Sequence, residues 1–332
     1  MSIRWLRVRV PLSSLNQPDH IPEYLASANY RQRKTDRQQK SGKKLKLPVD
    51  KCRYYTIMGQ VSNTTHKREN MLKYSEANAK TAALKQVDEL KPFLAHKRKI
   101  YSLDLLSGFS CPFAKACLSK AVVGENGKRH IEDGPDNEFR CFSGSQEVQY
   151  TNVYNLRKHN FDTLRGLHLN DMIHRLNQDM PDNLGICRIH VAGDFFSPDY
   201  MFAWINMAMM HSDRLFYAYT KSLTYWKKWS EYIDQVDNFV LTASYGGRND
   251  QMIADRDLRS AKVVFSESEA AQLGLEIDHD DSHAARPSLK NQNFALLIHG
   301  IQPKGSDAAE ALQALKGKGS YSRKKKPEEV YS

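Results

Sequence analysis

Five short β-rich runs in the second half of the chain constrain the fold more than any other feature. They are ICRIHVAGDFF, LFYAYTKS, FVLTASYGGR, KVVFSESE and FALLIHG, beginning near positions 186, 215, 239, 262 and 294. Helical stretches separate most of them. Ser197 and Pro198 stand as an N-cap and a first-turn proline, ahead of Met201, Trp204, Ile205 and Ala208 on one helical face. Leu223, Trp226, Trp229 and Ile233 repeat that pattern behind Ser222 as the cap, and Ser266 with Glu269 has capping-box spacing. Strands alternating with such helices imply parallel βαβ units. With a further apolar run from Ile100 to Leu106 the strands number about six, too few for a closed eight-stranded barrel. The expected fold is therefore α/β, with parallel βα units in a partial, about six-stranded TIM-like barrel or an open sheet.

In either architecture ligands gather where strands end and helices begin. Those ends carry Cys111 and Cys117, Gly193 and Asp194, Lys221 after Thr220, and then Ser244, Gly246, Gly247 and Arg248. Asp194 suits an acid, a base or a ligand, and Lys221 suits an anion. The Gly246-Gly247-Arg248 turn offers backbone N–H groups and a guanidinium to a phosphate or carboxylate. A second group, Asp278, His279, Asp280, Asp281 and His283, precedes the last strand. Carboxylates and imidazoles at that density suit proton transfer or a divalent metal, and equally an acidic solvated loop.

Three of the five cysteines, Cys111, Cys117 and Cys141, fall in one stretch after the first strand. The opening residues are too polar and interrupted for a secretory signal, so a reducing, cytoplasmic setting is expected and metal ligation or free thiols outrank disulfides. Three thiolates are one short of a closed structural zinc site, which His130 or His159 would complete. They also suffice for a [4Fe–4S] cluster with one iron left open. Cys52 has no partner at ligand spacing, and Cys187 is not expected among the ligands. The loop bearing Cys111 and Cys117 reads as leading into a short helical turn, Ser75 to His96 as a helix broken near Pro92, and Asn152 to Leu176 as one or two helices.

Charge is uneven. The net charge is +11, yet residues 1–53 alone hold 13 Lys+Arg against 4 Asp+Glu, and the middle of the chain is acidic. Residues 3–10 alternate apolar and basic as an edge strand would. Residues 30–53 are too polar for a core and read as a basic arm, in which Arg31, Arg33, Lys34, Arg37, Lys43, Lys44 and Lys46 are placed to meet a nucleic-acid backbone. No membrane partner is expected, since no apolar run approaches the roughly 20 residues of a spanning helix.

The stretches SGFSCPFAKACLSKA, DGPDNEFRCFSGSQE, IHVAGDFFSPDYMFAW, LFYAYTKSL, FVLTASYGGR and IDHDDSHA resemble the phage gene product 88 domain family. The similarity spans about residues 98–322, leaving a basic extension at 1–97 and a basic tail at 323–332. It implies that Cys111, Cys117, Cys141, Asp194, Lys221, Arg248, Asp278, His279, Asp280, Asp281 and His283 belong to shared motifs, and it implies a cytoplasmic setting in the host cell. A more distant resemblance is to radical S-adenosylmethionine enzymes, whose six-stranded partial barrel carries a three-cysteine loop after its first strand. That likeness implies an iron–sulfur, S-adenosylmethionine-dependent enzyme acting on a nucleic acid. The spacing differs, being C-x5-C with Cys141 far behind, where those enzymes use C-x3-C-x2-C. The contrasting expectation is a zinc-stapled nucleic-acid-binding accessory protein without catalysis.

Overall fold

The computed structural model describes residues 71–316. The edge strand expected at 3–10, the basic arm, Cys52 and the tail from 323 lie outside them.

Short, nearly continuous apolar runs, buried on both faces, build the centre of one eight-stranded sheet. Its strands are β1 (Ser75–Glu76), β2 (Lys99–Leu103), β5 (Leu184–Ile189), β6 (Leu215–Thr220), β7 (Phe239–Ser244), β8 (Ser260–Val264), β9 (Glu276–Ile277) and β10 (Phe294–Leu297). The order across the sheet is β1-β2-β5-β6-β7-β8-β10-β9. Only β1 runs antiparallel to its neighbour. All six expected strands are present in sequence order, and the short β1 and β9 form the two edges, so the sheet is not closed into a barrel. The order follows the sequence from β1 to β8 and reverses only at the β10-β9 edge, so of the two expected architectures it is the open sheet that is present.

Side chains alternate between two faces along each strand. Trp204, on the helix Pro198–Met210, packs against Phe216 with ring centroids 5.9 Å apart. That helix starts as expected, with Ser197 Oγ accepting the Tyr200 N–H at 3.1 Å. Its burial is not confined to one face, because every residue from Tyr200 to Ala208 is buried. The opposite face of the sheet presents Ile100, Ile186, Leu215, Tyr217, Val240 and Phe294, and is covered by Leu84, Leu90, Ala284 and Ala285.

Several local expectations give way. Residues 75–96 form β1, one turn of α-helix at Ala79–Ala82 and 3-10 turns to Leu94, because Pro92 has no N–H to donate and Leu84 and Leu90 must reach the sheet. Cys117 leads into a β-hairpin, β3 (Ser119–Val123) and β4 (Arg129–Asp133), whose turn places Gly127 at φ 73°. Ser222 stands at the N-cap position of the helix Leu223–Ile233 as expected, but its side chain caps no helix N–H, and its hydroxyl donates to Phe195 O at 2.8 Å. Ser266 Oγ does accept the Glu269 N–H, but the Glu269 carboxylate accepts from Phe265 N, leaving the capping box one residue out of register. Residues 151–179 form two helices, Thr151–Arg165 and Leu169–Asp179.

Candidate functional site

The carboxyl ends of the parallel strands open into a cavity of about 1400 Å³. Its wall holds Cys111, Cys117 and Cys141, with Gly193, Asp194, Lys221 and Ser244. Convergence follows from topology: neighbouring parallel strands end at one edge, so residues far apart in sequence meet there.

The cysteine loop is held by backbone. Lys115 and Ala116 N–H groups both donate to Gly246 O at 3.0 Å, and Arg248 N–H donates to Phe113 O at 2.9 Å. The turn at 246–248 thus docks the loop. Its N–H groups do not face a ligand, because Gly246 and Gly247 donate to the Asp250 carboxylate at 2.8 and 2.9 Å. Arg248 is exposed and Gly246, Gly247 and Arg248 are absent from the cavity wall. Cys141 sits at the N-terminus of the helix Phe142–Gln149, where the N–H groups of Ser143 and Gly144 approach its sulfur.

The thiols sense one another. Burial pushes the Cys111 thiol well up, and the charges of Asp194, Cys141 and Cys117 push it further. Burial likewise pushes Cys141 up to about 11, with Cys117 adding to it. Burial pulls the Lys221 ammonium down, but Cys117, Asp194 and Cys141 outweigh it and hold Lys221 above its ordinary value. Its Nζ donates to Ser244 Oγ at 2.6 Å. Asp194, raised by burial, accepts from Thr220 Oγ1 at 2.6 Å, Phe195 N at 2.7 Å and Lys221 N at 2.8 Å. Those bonds tie the ends of β5 and β6 together and occupy both oxygens. Among the described residues no group of three or more His, Cys, Asp or Glu lies ready to hold a metal ion. His159 bonds Met71 O and His130 pairs with Glu132, so neither joins the thiols.

The acidic group before β10 divides. His279 and Asp280 reach the cavity wall. Asp278 and Asp281 lie buried beneath it, and His283 pairs with Glu276 at 2.9 Å. Asp281 takes a left-handed backbone, φ 66°, and receives Lys80 Nζ at 3.0 Å, the Arg188 guanidinium and the Tyr217 hydroxyl. Lys80, Arg188, His190 and Asp250 are not singled out by sequence reasoning. The first three lack a motif, although Arg188 and His190 do alternate along the run ICRIH. Asp250 has only its spacing after a GG turn.

Fold and site together define an α/β protein with a mostly parallel sheet and a thiol-lined cavity at its strand ends. The family model for Gene product 88 matches residues 67–317, and the chain belongs to that family. It is 32% identical over 126 residues to the Gene 88 protein of Mycobacterium phage D29 and 30% identical over the same length to that of Mycobacterium phage L5. Each match covers 35% of this chain and 45% of the relative, so the chain spans less than half the length of those relatives. No solved structure matches it. None of the described helices is long and apolar enough to cross a membrane.

Proposed function

We propose that the protein is an enzyme whose active site is the strand-end cavity, with Cys111, Cys117 and Cys141 holding an iron–sulfur centre. The observation that carries this reading is the convergence of three thiols, brought from two separate loops, onto one cavity wall. The donor set fits. Three thiolates, backbone N–H groups directed at Cys141 and the neighbouring Lys221 ammonium suit an anionic cluster. A centre with three protein ligands supplies redox or Lewis-acid chemistry at its open position. The thiols are not at ligand spacing as they lie, so a cluster would have to draw their loops together on loading, a coupling of metal binding to folding. The sequential order of β2, β5, β6, β7, β8 and β10, with the cysteine loop following β2, supports a reading of the sheet akin to the partial barrel of radical S-adenosylmethionine enzymes.

The test is metal and sulfide analysis of anaerobically purified full chain. Iron and sulfide should be bound, and each of Cys111→Ser, Cys117→Ser and Cys141→Ser should lower iron several-fold, while Cys187→Ser, whose thiol is buried in β5, leaves it unchanged. Equal iron in all four variants would overturn the reading. Zinc at one ion per chain would replace the enzyme by a stapled loop. Adding S-adenosylmethionine to the loaded protein asks whether the open position takes it.

The basic residues Arg31 to Lys46 support nucleic acid as the macromolecular substrate. Each phosphate contact should contribute about 0.9 to the slope of log affinity against log salt for duplex DNA. Deleting residues 30–46 should flatten that slope in a binding titration, and an unchanged slope rules the arm out.

A further inference from the structure

The thiol farthest along the stretch, Cys141, stands on a segment that belongs to no strand and precedes its helix, so something other than a ladder must hold it. Three backbone groups there are met by side chains from other parts of the chain. Arg140 N–H donates to Gln302 Oε1 at 2.8 Å, and Gln302 Nε2 donates back to Arg140 O at 3.1 Å. Cys141 N–H donates to Ser119 Oγ at 3.2 Å. Gln302 is 8% exposed, and its Nε2 also donates to His299 O at 3.0 Å. An amide that accepts one N–H and donates to two carbonyls has one orientation, and both of its N–H donors are used. It pairs with Arg140 as a neighbouring strand would, across 162 positions of sequence.

The contact is wider than one side chain. Gly300 takes φ 83°, and a Cβ there would lie 2.6 Å from Phe142 Cβ and 2.9 Å from Phe142 Cα, so this backbone passes directly against the residue after Cys141. Ser145 Oγ, one turn into the helix, donates to Ile301 O at 3.3 Å. Phe142 and His299 pack with ring centroids 4.7 Å apart. Residues 299–302 follow β10, whereas Ser119 opens the hairpin behind the cysteine loop of β2, and β5, β6, β7 and β8 separate β2 from β10 in the sheet. Cys141 is therefore held from two distant strand ends. We propose that Gln302 is a positioning residue of the thiol site: its amide fixes the backbone beside Cys141 and so keeps that thiol on the cavity wall with Cys111 and Cys117. The inference rests on the reading that the thiols are the chemistry of the cavity, and it does not require that they hold iron.

The experiment is alkylation of the reduced, chelator-treated full chain with N-ethylmaleimide, the rate at each cysteine being followed by mass spectrometry. Gln302→Leu bonds neither backbone group of Arg140, so the segment should open more often and Cys141 should label roughly tenfold faster, with Cys111 changing less. Gly300→Ala, which pushes on Phe142 from the same side, should also speed Cys141. Asn238→Leu is the control. That buried amide bonds the carbonyls of Ala208, His211 and Arg214 and is absent from the cavity wall, so its loss should cost stability without selecting Cys141. Equal labelling of Cys141 in Gln302→Leu and wild type, or an equal rise in Asn238→Leu, would overturn the proposal. Wild type alone gives a second answer by hydrogen exchange. The Arg140 and Cys141 N–H groups should be protected although neither lies in a helix or strand, and fast exchange there would overturn the proposal too. Iron analysis of the same proteins separates the two readings. A wild type without iron whose Cys141 still responds to Gln302→Leu removes the iron–sulfur centre and leaves Gln302 in its role, while iron bound equally in both, with unchanged labelling, does the reverse.

Discussion

Asp281→Ala should cost roughly 3–5 kcal/mol of folding stability, measured by urea unfolding, the range found when one partner of a buried ion pair is removed. The carboxylate is fully buried and receives Lys80, Arg188 and the Tyr217 hydroxyl, so its loss strands two cations, only 13% and 12% exposed at the side chain, with no shared anion. Acid should reveal the same group. Burial raises the Asp281 carboxyl, but Arg188 and Lys80 outweigh it and hold the folded value below the ordinary one. A depressed folded pKa contributes stability above the unfolded value, near 3.9, and that contribution disappears as pH falls through the folded value. Below about pH 4 the wild type should therefore lose melting temperature more steeply than Asp281→Asn. A loss under about 1 kcal/mol would mean that Asp281 is not the keystone under the cavity floor.

Gly193→Ala should be the second large effect, about 2–5 kcal/mol by the same measurement. The residue sits at φ 96°, and a Cβ there would lie 2.6 Å from Ser110 Oγ and 2.8 Å from Leu105 Cβ. Backbone strain contributes about 1–2 kcal/mol and displaced packing another 1–3. The displacement has a direction, since Ser110 adjoins Cys111 and Gly193 adjoins Asp194. On the proposed iron–sulfur reading the substitution should also lower bound iron even where the protein remains folded, whereas Gly274→Ala, at a positive φ with open space around it, should cost strain alone. Similar losses in both variants would mean that the contact between the β5 end and the cysteine loop is not tight.

Much of the sheet was legible from residue patterning. Short apolar runs such as Leu215–Thr220 and Phe294–Leu297, bounded by turn residues, match strands buried on both faces, and the helix behind Ser197 and Pro198 begins where those two residues put it. The same logic failed at Ser75–His96. Alanine, leucine and valine at helical intervals there are equally served by 3-10 turns, once Leu84 and Leu90 are pulled onto the sheet. It failed again after Cys117, where a hairpin turn at Gly127 outweighed a brief helical pattern.

The site divides along the same line. Local sequence determined which chemistry is present: three thiols in one stretch, an aspartate and a lysine at consecutive strand ends, a basic segment before residue 53 and an acid-rich run before the last strand. It also determined that the thiols, the aspartate and the lysine would gather at strand ends, because parallel order is a property of βα alternation. Which side chains face the cavity was decided only by tertiary structure. Asp250 claimed the N–H groups of the glycine turn, turning a candidate anion cradle into a dock for the cysteine loop. Asp281, read beside His279 as chemistry, was drawn under the surface by Lys80 and Arg188, cations from distant parts of the chain. Gln302 became notable only when its amide met both backbone groups of Arg140, 162 positions earlier. Residue type and spacing specify what a side chain is able to do. Burial, backbone conformation and distant partners decide what is left for it to do, and no local pattern carries that information.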